Sequence, residues 1–211
     1  MVKQRQMTKS KNDKRRVERQ AKGLRLPSRF PRPADDVVSA RIRFSYALVA
    51  ATGAPFTTTK IIALGNGTNT GDYVFLNSLS SVFAAYSAIY SRFVVTQLRA
   101  ALKTTGIGTG NALAAVNYTP GNTGFSNPPT VLSDVAQAVH FCDATMGSPG
   151  AFMVDASEYF NDWRQTIDAD NSDAQAGVLK VYGVGSSGAS SIGILDVEML
   201  VHFCGLRIID A

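Results

Sequence analysis

The chain has 211 residues, a formal net charge of +5 and two cysteines. That is enough chain for one domain with a proper core, and too few cysteines for a disulfide-stapled scaffold. The charge is not evenly spread. Residues 1–32 carry Lys3, Arg5, Lys9, Lys11, Lys14, Arg15, Arg16, Arg19, Lys22, Arg25, Arg29 and Arg32 against Asp13 and Glu18, a net of +10, while the remainder carries nine basic and fourteen acidic side chains, a net of −5.

An excess of cations this dense repels itself and has little apolar surface with which to offset the entropy lost on folding. Residues 1–33 are therefore expected to form a disordered basic arm and linker, and residues 34–211 the folded domain. The N-terminal charge is not followed by an apolar stretch, which excludes a secretory signal, and Asp13 and Glu18 fit a mitochondrial presequence poorly. Within the arm, KNDKRRVERQAK from Lys11 to Lys22 has good helix formers and predicts helix once its charge is neutralised. Pro27, Pro31 and Pro33 stiffen the linker and mark the boundary.

In the body the first strong pattern has period two. Ile42, Phe44, Tyr46 and Leu48 alternate with Arg41, Arg43, Ser45 and Ala47, which predicts a strand with one buried face and two arginines on the other. A short strand is predicted at Lys60 to Leu64. Tyr73 to Ser91 then runs nineteen residues without a formal charge. Its five serines, Asn77 and one-sided large residues argue against a membrane span, which should be apolar nearly all round. Leu79, Phe83, Tyr86 and Tyr90 predict one helical stripe.

Arg92 to Lys103 predicts a long strand with Val94, Leu98, Ala100 and Leu102 on one face. After the glycines of GIGTG at 106–110, Asn111 to Tyr118 predicts the next. Pro128-Pro129-Thr130 leads into VLSDVAQA, a second short helix with proline in its first turn. Val139 to Ala144, Ala151 to Ala156, Gly177 to Val184 and Gly193 to Cys204 complete the strands. About eight strands with two short helices inserted in connections exclude a regular βαβ sheet. They predict an all-β fold, an eight-stranded antiparallel jelly-roll sandwich.

Several constellations invite a chemical reading. GVGSSG at 183–188 matches the dinucleotide-binding spacing, but a strand follows it where that motif needs a helix, so a hairpin loop is predicted. VHFC occurs at 139–142 and again at 201–204, and His140, Cys142, His202 and Cys204 have the residue types of a zinc site. Phe141 and Phe203, however, mark the opposite faces as buried, and the two strands are expected in different sheets. Asp168, Asp170 and Asp173 form an oxygen-rich cluster suited to calcium, although Asp173 stands where a calcium-binding helix–loop–helix needs glycine. With two histidines and no Gly-x-Ser-x-Gly or His-Glu-x-x-His, no catalytic residue is expected.

The order of basic arm, proline-bearing linker, FAAYSAIYSRFVV at 83–95, GNALAAVNYTPGNTGFSNPPT at 110–130 and closing strand ILDVEMLVHFCGLRI resembles the coat proteins of small icosahedral viruses. It is most similar to the single-jelly-roll shell domains of tombus-like and sobemo-like positive-strand RNA viruses. The resemblance implies a virion protein assembled in the host cytoplasm, a homo-oligomeric icosahedral shell, no membrane, and a genome of single-stranded RNA held by the arm. Related shells enclose single-stranded DNA, for which assembly would be nuclear. Arg41 and Arg43 would join the twelve arm cations at the nucleic acid, and Asp168, Asp170 and Asp173 would hold calcium between subunits. The alternative from a different class is an RNA-binding module or chaperone with a basic tail that forms no shell.

Overall fold

The structure is a computed structural model, and it describes residues 37–49, 56–104, 112–121, 127–145, 148–155, 163–166, 174–185 and 191–206. The arm and the acidic loop lie outside them. In chain order the elements are β1 (Val38–Val49), β2 (Phe56–Gly65), β3 (Tyr73–Phe75), α1 (Leu76–Leu79), α2 (Ser81–Ile89), β4 (Tyr90–Thr104), β5 (Ala112–Pro120), α3 (Ser133–Ala136), β6 (His140–Thr145), β7 (Gly150–Asp155), β8 (Arg164–Gln165), β9 (Gln175–Gly185) and β10 (Ser191–Leu206). All eight expected strands are present, and β3 and β8 are short additions.

Two sheets face each other. The first runs β1-β10-β4-β7, with β8 also on β4; the second runs β3-β2-β9-β5-β6. β1 pairs β10, β2 pairs β9, β4 pairs β7 and β5 pairs β6, all antiparallel. Taken together these four pairs are one long antiparallel hairpin rolled up across two sheets, which is a jelly roll. Only the three-residue β3 runs parallel, beside β2.

The roll buries the alternating face predicted for β1. Ile42 and Leu48 are fully buried and Phe44 nearly so, in one core with Leu98, Leu102, Val116, Leu179, Leu195, Val197 and Met199. At one region of this core the side chains are aromatic. Phe83 of α2 meets Phe93 edge-on, with ring centroids 5.2 Å apart at 85°, and Tyr86 stacks on Phe203 at 5.0 Å and 19°. Such pairs are favourable beyond the area they bury. Ser80 separates α1 from α2 and caps the latter, its hydroxyl accepting from the Phe83 amide at 3.3 Å. The single stripe predicted from Leu79 to Tyr90 is therefore split, with Leu79 on α1 and Tyr90 opening β4.

Four local expectations are corrected. Val94 does not share a face with Leu98. Leu200 pairs Gln97 and Val201 pairs Val95, which leaves Thr96 as a bulge and moves the core face onto Val95 and Phe93. GVGSSG is not a hairpin loop, because β9 lies in the second sheet and β10 in the first. Its Gly183 sits in mid-strand between Thr58 and Ala114, where a Cβ would approach Thr58 Cγ2 to 2.9 Å. The prolines at 128 and 129 precede α3 by a turn rather than entering it. Finally, Cys142 and not Phe141 faces the main core on β6. Phe141 packs with Ala115, Val135 and Tyr182 in a separate cluster under α3, which Asn117 ties down by donating to the Val135 carbonyl at 2.8 Å.

Candidate nucleic-acid interface

The outer face of the first sheet is where the structure collects the body's predicted cations. Core-facing Ile42 and Phe44 turn Arg41 and Arg43 outward, each 65% exposed. Pairing β1 with β10 sets Arg43 directly opposite Glu198 and Ser45 opposite Asp196. Both arginines converge on one oxygen: Glu198 Oε1 lies 3.0 Å from Arg41 Nη1 and 3.1 Å from Arg43 Nη2. Ser45 donates to Asp196 Oδ1 at 2.6 Å, and Lys103 Nζ stands 3.6 Å from Asp196 Oδ2.

Arg99 of β4 also lies opposite Glu198 in register and forms no ion pair among the described residues. Arg43, Ser45, Arg99, Asp196 and Glu198 surround a shallow depression of about 400 Å³. Alternation also brings Arg92 and Asp155 to this face. Among the described residues it therefore holds Arg41, Arg43, Arg92, Arg99 and Lys103 against Asp155, Asp196 and Glu198. A net of two positive charges remains on a body that is acidic as a whole. Exposed pairs of this kind contribute about 0.2–1 kcal/mol each and weaken with salt, so the arginines remain available to a polyanion. Arg99 and Lys103 were missed by sequence reasoning although they recur at the outward positions of a predicted strand. Their value as partners of Glu198 and Asp196 depends on a strand pairing between residues a hundred positions apart.

The His/Cys tetrads do not converge. His140 and Cys142 belong to β6 of the second sheet, His202 and Cys204 to β10 of the first, and Cys142 points to the core whereas His202 and Cys204 lie on the outer face. Burial, and secondarily Asp143, pushes the Cys142 thiol up to about 12, and burial also raises Cys204. Neither sulfur is poised as a nucleophile or as a thiolate ligand. His202 is held at both nitrogens, by Ser39 Oγ at 2.6 Å from Nδ1 and Thr96 Oγ1 at 3.0 Å from Nε2. The twelve arm cations and Asp168, Asp170 and Asp173 lie outside the described residues. Among the described residues no three His, Cys, Asp or Glu side chains gather as a metal site, and no helix is long and apolar enough to cross a membrane.

No protein-family model and no curated protein sequence matches this chain. Solved structures do match. A chain from Desmodium yellow mottle tymovirus is 16% identical over 87% of this chain and 97% of its own, with a TM-score of 0.55. Tobacco necrosis virus gives 13% identity, 81% and 97% coverage and 0.57. Melon necrotic spot virus gives 19% identity and 0.60, covering 82% of this chain and 56% of that one. The matched chains are capsid proteins of tymo-like, tombus-like and sobemo-like small icosahedral plant RNA viruses. The fold of this chain is that of a viral capsid protein.

Proposed function

We propose that the chain is a capsid protein that assembles with copies of itself into an icosahedral shell and packages a nucleic-acid genome through residues 1–33. The observation that carries this reading is the rolled jelly roll, matched over most of its length by viral shells, behind an N-terminal segment of net charge +10. The protein is structural rather than enzymatic, and its place is the virion.

Arm cations neutralise phosphates and release counterions without reading bases. Sixty arms would bring roughly 600 positive charges to the interior and 180 arms roughly 1,800, against one charge per phosphate, which suits a genome of about one to a few kilobases. Single-stranded RNA is the favoured genome, and the net positive outer face of the first sheet supplies a second layer of phosphate contacts. The full chain expressed alone should sediment as uniform particles containing RNA. Particles made from a chain lacking residues 1–32 should lose that RNA while the body stays folded. Unchanged RNA content in the truncated particles would overturn the packaging role, and a monomer bound to RNA would overturn the shell.

A further inference from the structure

Helix α2 is apolar on the side that should face water. Its inner side places Phe83 and Ser87 in buried positions and lays Tyr86 against Phe203. On its outer side Val82 is 45% exposed, Ile89 48% exposed, and Ala85 lies exposed between them. At 3.6 residues per turn, positions 82, 85 and 89 form one stripe about 10 Å long. The helix has no charged side chain, and its surroundings have none from Tyr73 to Ser91. A helix apolar all round belongs in an interior.

The missing charge narrows what can cover it. A nucleic acid or an anionic membrane surface requires Lys or Arg at the contact, and this stretch supplies none. Depletion of charge around an apolar centre is instead the mark of the core of a protein–protein contact. Electrically, the best complement to a neutral apolar surface is another of the same kind. The spacing supports self-pairing, since Val82 and Ile89 lie almost symmetrically about the small Ala85. Running a second copy of α2 antiparallel sets Val82 against Ile89 of the other copy and lets the backbones approach at Ala85. Such self-complementarity is what a two-fold contact demands. A stable interface takes about 800 Å² per partner, more than this stripe offers, so Ser78, Ser81 and Ala88 would lie within the contact.

We propose that the outer stripe of α2 is a contact between two copies of this chain, packed antiparallel about a two-fold axis. It rests on the shell reading for the presence of neighbouring copies. The test uses assembled particles of the full chain carrying Ala85→Cys, oxidised with copper phenanthroline and run on a non-reducing gel. Cys142 and Cys204 are buried, so wild-type particles serve as the blank. We expect most Ala85→Cys subunits to run as disulfide-linked dimers. The companion variant Val82→Asp/Ile89→Asp should cut particle yield at least tenfold while the subunit keeps its wild-type circular dichroism. If that variant does not fold, the cross-link alone decides. Particles whose Ala85→Cys thiols never pair, or normal particle yield from the double variant, would overturn the contact and leave the shell intact. Failure of the wild-type chain to form particles would overturn the shell reading instead.

Discussion

His202 shows how one side chain can tie three strands of a sheet whose outer face is otherwise charged. It sits on β10, bonded to Ser39 of β1 and to Thr96 of β4, and it is 8% exposed. Burial lowers its pKa from the ordinary histidine value. The charged groups around it, Arg41 on β1, Arg92 on β4, and Glu198 with Cys204 on β10, include more cations than anions, which also disfavours the imidazolium. Because the unfolded chain binds this proton more readily than the folded one, stability is complete above about pH 6.5 and falls as pH drops toward the lowered folded value. The urea midpoint of dissociated subunits should be flat from pH 8 to 7 and decline below pH 6.5. In His202→Gln that part of the decline should be missing. Identical pH profiles for the two proteins would show that this histidine does not titrate with folding.

At the scale of elements, the bulge in β4 decides which side chains enter the core. Phe93 and Val95 precede Thr96 and Leu98 follows it, and all three bury their side chains only because Thr96 adds one residue to the alternation. Deleting Thr96 should turn either Phe93 and Val95 or Leu98, Ala100 and Leu102 to solvent, since a one-residue slip exchanges the faces of a strand. Thr96→Ala keeps the bulge and loses only the hydroxyl contacts to His202 and the Leu200 carbonyl, a cost of about 1 kcal/mol. The substitution should therefore shift the urea midpoint slightly, and the deletion should abolish the cooperative transition. A deletion that unfolds with the same midpoint as the substitution would show that the bulge is dispensable. The same residue explains a limit of sequence reading. Period two made β1 and β10 legible because each has one wet face, whereas a bulge is fixed by the partner's register, which no local pattern contains. β9 adds a second reason: α3 and its cluster cover the outer face of the second sheet, so Val178, Tyr182, Leu179 and Val181 are buried on both sides and the alternation in polarity disappears.

The whole molecule divides its labour by charge: the acidic body closes a neutral, apolar core and presents one net-positive sheet face, while the arm concentrates +10 in 32 residues. That division was legible from composition, as was the jelly roll from the number and spacing of its strands. The clustering of Arg41, Arg43 and Arg99 around Glu198 was not, because it requires β10 to lie between β1 and β4. The division also predicts how the two cationic regions differ. For single strands the logarithm of affinity falls against the logarithm of salt with a slope near −0.7 for each phosphate neutralised. Replacing Lys14, Arg15 and Arg16 with alanine should therefore reduce the slope for RNA binding by about 2. The reduction should be equal for RNAs of different sequence, since Phe30 is the arm's single aromatic and base stacking adds little. Replacing Arg41 and Arg43 should change the slope by less than two full contacts, because Glu198 already compensates both. Filter binding of dissociated full-length chain to two unrelated RNAs, from about 50 to 200 mM salt, measures both slopes. A larger effect from the sheet pair than from the arm triplet would place the main phosphate contacts on the sheet and leave the arm a minor role.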